Sequence, residues 1–385
     1  MAVKPINVLH LETETGWRGG QQQILYLHKG LIENDIGSVV VCPEGSKLAQ
    51  ACVKENLPVY LLKSRRHYNF VSAVRTAGII RKGNYNFLHA HSSHALTLGL
   101  IVKLFIPNII LTASRRVDFS VRKPIFGPIK YSNSFVNKII CISDAIKNVL
   151  ISDGIPAKKL VTVHSGVDTS SCQVSSKLKL QLKKELGIPE NDIAAGTIAA
   201  LAGHKDYPTL MRAAKRVIQT DKNITFIAAG SGPDEQELVK LHSRLNLGKK
   251  FIFAGFREDT ADLLKMFDIF VLSSRMEGMG TSILDAQSAA LPIVAARAGG
   301  IPEIVQDGRN GILTDTGDDK ALAEAVIKLA RDKQLRKNLG KIGQNFVKRF
   351  DYRQTVLKTI NVYRSLFDDC ENVIEDWKKS THAVS

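Results

Sequence analysis

Cysteine, aromatic side chains and long apolar runs are all scarce in this chain, and each scarcity removes a class of protein. The five cysteines, Cys42, Cys52, Cys141, Cys172 and Cys370, are odd in number and form no CxxC pair, so neither a disulfide framework nor a zinc knuckle is indicated and a reducing cytoplasm is the expected setting. No basic region followed by a long apolar run opens the chain, so no signal peptide is expected. The most apolar stretch, residues 95–113, is interrupted by Lys103, Pro107 and Asn108, which makes it a poor bilayer span. GxxxxGK[ST], HExxH and DxD are absent, which argues against a P-loop nucleotidase and leaves no candidate metal site. Aromatics are only 6%, too few to interleave with basic residues as single-strand nucleic-acid binders do. Acids are missing from one region above all. Lys plus Arg outnumber Asp plus Glu by 53 to 37, for a net +16, yet residues 51–150 alone hold 15 basic and 3 acidic residues.

What is present is globular. At 385 residues, 44% hydrophobic and 23% charged, the chain is too long for one core and suits two domains. Short apolar runs alternate with amphipathic stretches, the pattern of βα units around parallel sheets. Strands are expected at 6–11, 38–42, 59–62, 86–90, 109–112 and 138–142, with helices at 21–33 and 143–151, the latter N-capped by Ser143. The polar stretch 171–185 reads as a linker between a domain over 1–170 and a second over 186–350. There the expected strands are 193–199, 224–228, 250–254, 268–272 and 292–296, with a long helix near 318–331. Residues 351–385 read as a helix crossing back onto the first domain. Two such doubly wound, Rossmann-like domains would face each other across a central cleft at the carboxyl ends of their strands, where ligands of open α/β sheets bind.

Glycine-rich strand-to-helix junctions are the candidate sites. Gly16-Trp-Arg-Gly19-Gly20 precedes a helix, where glycines let backbone N–H groups approach an anion; a plain βα turn explains the same residues equally well. Ser273-Ser-Arg-Met-Glu277-Gly278-Met279-Gly280-Thr281-Ser282-Ile-Leu-Asp285 is stronger. A strand ends, a loop bears an acid, and a helix begins whose first-turn N–H groups could cradle a diphosphate.

That last block, followed by Ala298-Gly-Gly-Ile-Pro-Glu303 and Gly308-Arg-Asn-Gly-Ile-Leu313, resembles the signature of family 4 of the retaining glycosyltransferases, which have the GT-B fold. His164-Ser-Gly-Val-Asp168, His204-Lys205, Gly230-Ser-Gly-Pro and Phe253-Ala-Gly-Phe256 are similar to further segments of that family, and the resemblance runs from about residue 6 to about 365. It implies metal-free transfer of a sugar from a nucleotide-sugar donor, which is a substrate and not a cofactor, with retention at the anomeric carbon. Lys205 would neutralise the departing diphosphate together with amides near Gly280, Gly19 and Gly20, with His204 and Gly230 close by. Glu277 would hold hydroxyls of the sugar and Asp285 the ribose, with the base near Phe256 and Arg257. The chain departs from the family in having Asp285 where a glutamate is usual, Ala200 where an arginine is common, and Arg115-Arg116-Val-Asp118 where a histidine often follows the fifth strand.

In the first domain His91, His94, Arg115, Arg116 and Asp118 are candidates for the acceptor side, although a hydrogen-bonded structural role is the commoner fate of a histidine. The basic segment, with Arg65, Arg66, Arg122 and Lys123, suits an anionic membrane face or an anionic acceptor. The expected protein is a cytoplasmic enzyme, peripheral on the inner face of the membrane. It would move a sugar from a UDP, GDP or ADP type donor to a glycolipid or polysaccharide in lipopolysaccharide or capsule assembly. A nucleotide-sugar epimerase of the same fold is the first alternative, and a non-enzymatic nucleic-acid or lipid-binding module the second.

Overall fold

The computed structural model describes residues 5–63, 70–122, 127–170 and 176–382, with side chains as far as 369. Two compact units form. The first takes residues 1–166 together with 352–385, and the second the continuous stretch 167–351.

The first unit is built on seven strands, β1 (Asn7–Leu11), β2 (Gly37–Pro43), β3 (Val59–Leu62), β4 (Phe87–Ala90), β5 (Ile110–Arg115), β6 (Lys138–Cys141) and β7 (Leu160–Thr162). All pair in parallel in the order β3-β2-β1-β4-β5-β6-β7. Helices α1 (Gly19–Glu33), α2 (Lys47–Lys54), α3 (Phe70–Lys82), α4 (Ser93–Phe105), α5 (Gly127–Ser132) and α6 (Asp144–Ser152) connect them. Every residue of β4 is buried, as parallel strands covered on both faces require. Ser143 caps α6 by accepting the Ile146 N–H at 3.2 Å.

The second unit holds α7 (Ser176–Glu185), β8 (Ile193–Ile198), α8 (Tyr207–Thr220), β9 (Ile224–Ala229), α9 (Glu235–Arg244), β10 (Phe251–Gly255), α10 (Thr260–Met266), β11 (Ile269–Leu272) and α11 (Thr281–Ser288). It continues with β12 (Ile293–Ala296), α12 (Ile301–Ile304), β13 (Gly311–Thr314), α13 (Asp319–Arg331) and α14 (Lys333–Val347). Its six-stranded parallel sheet runs β10-β9-β8-β11-β12-β13. In each sheet the strand order reverses once, between β1 and β4 and between β8 and β11, and loops at that reversal open the crevice that ligands use.

The expected linker 171–185 is corrected by this arrangement. Residues 171–175 lie outside the described residues, and 176–185 is α7, which packs on α10. Among its many lysines Leu182 is buried, and Lys183 is buried too, donating to the carbonyls of Glu190 at 2.8 Å and Asp192 at 2.6 Å. A lysine spent on backbone carbonyls behaves as core, which polarity alone hides. Strands β7 and β13 were not expected from the sequence.

The last helix, α15 (Tyr352–His382), closes the first unit. Tyr352, Val356, Ile360, Tyr363, Leu366 and Phe367 recur every three or four residues and pack with Val8, Leu27, Leu31, Phe87 and Ile110, one apolar stripe set into the core of the domain that opens the chain. Contact with α1 is close enough that a side chain on Gly30 would meet Val356 Cγ2 at 2.5 Å. Ile360→Ala is therefore expected to lower unfolding free energy by about 2–5 kcal/mol, while the exposed Leu357→Ala stays within about 0.5 kcal/mol; urea unfolding of both variants decides it.

Candidate active site

Loops at the reversal of the second sheet carry the strongest constellation. After β8 the chain runs through Ala199–Leu201 into a short 3-10 turn, Gly203–Lys205. After β11 it runs through Ser273–Gly280. The Lys205 ammonium and the Glu277 carboxylate form an ion pair, with side chains only 15% and 13% exposed, and the Ser274 hydroxyl donates to the same carboxylate oxygen at 3.2 Å.

Backbone straps hold the two loops in register. The Ser273 hydroxyl bridges the carbonyls of Lys205 (2.9 Å) and Asp206 (3.0 Å), and the Arg275 N–H donates to the His204 carbonyl at 2.8 Å. Asp206, buried and left-handed at φ 48°, accepts from Arg275 Nε at 2.8 Å and from the Thr209 hydroxyl at 2.7 Å. Left-handed backbone is uncommon outside glycine, and these two bonds hold it here. Gly230 presses its turn against the first loop: a side chain on it would lie 2.0 Å from the Ala199 carbonyl oxygen. Gly280, at φ 81°, caps α11, where Thr281 and Ser282 open the helix, Met279 is buried beside them and Asp285 stands exposed a turn further on. N–H groups of that first turn have no carbonyl ahead of them in the helix and aim at whatever anion lies before it.

At the end of β10, Phe256 is 57% exposed, as a stacking platform needs to be. Arg257 is engaged elsewhere, bidentate to Asp259 at 2.6 and 2.8 Å and paired with Glu185 of α7 at 2.5 Å, and these carboxylates raise its already high pKa.

The reversal of the first sheet holds a different network. Register sets His10 of β1 beside His89 of β4, and the period of two puts His91 on the same face. His10 Nδ1 lies 3.0 Å from His91 Nε2, His91 Nδ1 lies 3.3 Å from an Arg116 nitrogen, and His89 is held by Tyr363 Oη of α15 (2.6 Å) and Ser114 Oγ (2.8 Å). Arg116 also runs against Gly20, with its Cδ 3.4 Å from where a Cβ would stand. Guanidinium can only donate, so His91 accepts at Nδ1 and donates from Nε2 to His10, whose own Nε2 is left as a buried N–H without a partner. Burial first, then the neighbouring rings and Arg116, pulls His10 and His91 well below the ordinary imidazole range; burial and Arg116 pull His89 to about 3, and burial takes His28 to about 4. Arg116 is itself lowered to about 10 by burial and stays cationic. Ring nitrogens of His10, His89 and His91 lie within 4.8 Å of one another, a grouping no motif reveals. With five of the six nitrogens in hydrogen bonds and a guanidinium among them, the set reads as a hydrogen-bonded network and not as a cation site.

Residues 179–346 match the family described as Glycosyl transferases group 1, and residues 17–171 match Glycosyltransferase Family 4. The chain belongs to the group 1 glycosyltransferases. It is 26% identical to the N-acetyl-alpha-D-glucosaminyl L-malate synthase of Bacillus anthracis over 79% of this chain and 81% of that one. It is 28% identical to the UDP-Gal:alpha-D-GlcNAc-diphosphoundecaprenol alpha-1,3-galactosyltransferase of Escherichia coli over 71% and 75%. The structure of Anabaena Alr3699/HepE in complex with UDP and glucose superposes with a TM-score of 0.83 at 22% identity, covering 94% of this chain and all of that one. The shared fold is GT-B.

In this glycosyltransferase the structure gathers Lys205, His204, Glu277, Gly278 and Gly280–Ser282 at one sheet reversal, and Gly20, His91 and Arg116 at the other. Arg115 is the correction. Expected to accompany Arg116, it projects from the opposite face of β5, donates to the Phe119 carbonyl and lies 5.6 Å over the Tyr131 ring, since adjacent strand residues alternate faces. His94 pairs with Glu14 at 3.2 Å, away from His91's partners, and Asp118 is half-buried beyond the strand. Arg65, Arg66 and Lys123 lie outside the described residues. Asp206, Ser273 and Arg275, which shape the Lys205 loop, were not expected; their signal is cross-loop hydrogen bonding, which no spacing encodes.

Two outcomes follow. Asp206→Ala keeps the left-handed strain and loses both bonds, so it is expected to lower both stability and donor affinity, whereas Asp206→Gly relieves the strain and regains stability while the donor KM stays raised about tenfold; a wild-type donor KM in Asp206→Gly would remove the strap's role. Second, the buried histidines refuse protons that the unfolded chain binds below about pH 6.5. Stability is therefore full above that pH and falls between 6.5 and 4, by up to about 1.4 kcal/mol per pH unit for each such histidine, as urea midpoints across that range will report; a flat profile contradicts it.

Proposed function

We propose that this glycosyltransferase uses a UDP-type nucleotide sugar, retains the anomeric configuration, needs no metal, and transfers to a glycolipid or polysaccharide acceptor in cell-surface glycan assembly, on the inner face of the cytoplasmic membrane. The observation that carries the donor side is the shielded Lys205–Glu277 pair before the N-terminus of α11. A diphosphate entering there meets an ammonium and first-turn N–H groups, which neutralise the charge that grows as the sugar departs. As Lys205 turns to the phosphates, Glu277 is released to accept hydroxyls of the sugar and to steady positive charge at its anomeric carbon. Asp285, exposed on the next turn, reaches the ribose one methylene short of a glutamate, and Phe256 stacks the base. Structures of fold neighbours bound to UDP and UDP-glucose support the nucleotide class, and relatives named for O-antigen biosynthesis in one case and lipopolysaccharide core biosynthesis in another support the acceptor class. In the first domain, Arg116 and His91 beside Gly20 are the acceptor-side candidates.

Lys205→Ala and Glu277→Gln are each expected to cut transfer from a UDP-sugar at least about 10²-fold with folding intact. Wild-type rates in either would overturn the mechanism, product formed from donor alone would indicate epimerisation, and the anomeric proton coupling of the product reads retention directly.

A further inference from the structure

Helix α3 is built inside out. Its buried positions are small or polar, Ser72, Ala73, Thr76 and Ala77 with one larger residue, Ile80, and the Thr76 hydroxyl folds back onto the Ser72 carbonyl at 2.7 Å. Its large apolar residues face solvent: Phe70 is 64% exposed, Val71 51% and Val74 46%. An ordinary surface helix shows the reverse. The small inner face lets α3 pack closely on α4, where Phe70 meets the Phe105 ring edge-on with centroids 5.3 Å apart, beside Leu104 at 65% exposure. On the same outer face of α3 stand Arg75, Arg81 and Lys82, with Arg81 donating to the Phe105 carbonyl at 3.0 Å.

The surroundings sharpen the contrast. From residue 56 to residue 117 the sequence contains no Asp or Glu, so neither helix bears an acid. Of the 19 exposed large hydrophobic residues among those described, ten fall between Tyr60 and Phe135, the region that also holds most of the net positive charge. An apolar patch rimmed by one sign of charge marks an interaction surface. Among the described residues no helix is long and apolar enough to cross a membrane.

We propose that the outer face of α3, with Leu104 of α4, seats in the headgroup layer of an anionic bilayer, the apolar residues entering the acyl boundary and Arg75, Arg81 and Lys82 meeting lipid phosphates. Charge complementarity selects this occupant. Two copies of the chain meeting on this face would oppose like charges, and a nucleic acid would leave Phe70, Val71 and Val74 in water, whereas a basic helix with bulky apolar residues suits a membrane interface. The inference rests on the reading that the acceptor is membrane-borne. Salt weakens such docking without abolishing it, because screening leaves apolar insertion intact.

The test is flotation of the full chain with phosphatidylcholine vesicles, with and without about one third phosphatidylglycerol, at low salt and at about 0.5 M. Binding is expected on the anionic vesicles, with a fraction surviving high salt, and Phe70→Ser with Val74→Ser is expected to lose that fraction by about tenfold while melting temperature and UDP binding match the wild type. Phe70→Trp gives a second readout, a blue shift of the new indole and its quenching by brominated lipid on vesicle addition. Complete release by salt, an indole that brominated lipid leaves unquenched in Phe70→Trp, binding unaffected by the serine pair, or a wild-type dimer dissolved by it would each overturn the proposal. Absence of vesicle binding alongside transfer to a soluble acceptor would sink the docking and the membrane-borne acceptor together, leaving the glycosyltransferase assignment standing.

Discussion

The Lys205 ammonium and the Glu277 carboxylate meet where the second sheet reverses its strand order, largely shielded from water. Desolvation nearly cancels Coulomb attraction for such a pair, so its net contribution to folding is small and it is poised for exchange. A diphosphate offers Lys205 more charge than Glu277 does, and the first turn of α11 offers the same anion its N–H groups. Much else in the domain serves this meeting: Ser273 and Arg275 tie one loop to the other, Asp206 takes a backbone conformation that few residues accept, and Gly230 leaves room for the Ala199 carbonyl.

The first domain depends on a tie of another kind. Tyr363, from a helix that closes the chain, is fully buried and hydrogen-bonded to His89, while His91 and His10 pass a single donor direction inward from Arg116. Keeping these rings neutral preserves that direction, since a protonated His91 could not accept from a guanidinium. The His89 ring that Tyr363 holds stacks on His91 with centroids 4.0 Å apart; through that contact the placement of Arg116 is linked to α15, and loss of that helix would disturb more than the core it fills.

Much of this was legible in the residues. Most of the longer apolar strands declared their position within a residue or two, because a parallel strand buried on both faces must be apolar throughout; β5, expected to end at residue 112, runs three residues further, through the polar Ser114 to Arg115. β7 escaped because Leu160-Val-Thr162 is too short to show a period, and β13, no shorter than β3 or β4, because only Ile312 and Leu313 of Gly311-Ile-Leu-Thr314 are apolar. α7 escaped because lysines outnumber its leucines and one of them is buried on carbonyls. Glu277 and Gly280 stood out through glycine and helix-start chemistry, and Lys205 through the resemblance to family 4 of the retaining glycosyltransferases. Asp206 and Arg275 did not, since their role is a side-chain clasp between loops 69 residues apart, and Arg115 was misplaced because its neighbour's direction was assumed to be its own.

Exchange of Lys205 between carboxylate and diphosphate is the central claim, and calorimetric titration of UDP into the wild type and Glu277→Gln tests it most directly. Releasing Lys205 from its partner should tighten UDP in the variant, by several-fold, while the affinity for the intact UDP-sugar falls because the sugar loses its carboxylate. Weaker or unchanged UDP binding in Glu277→Gln would contradict the account, for Lys205 would then not be the cation that the phosphates take.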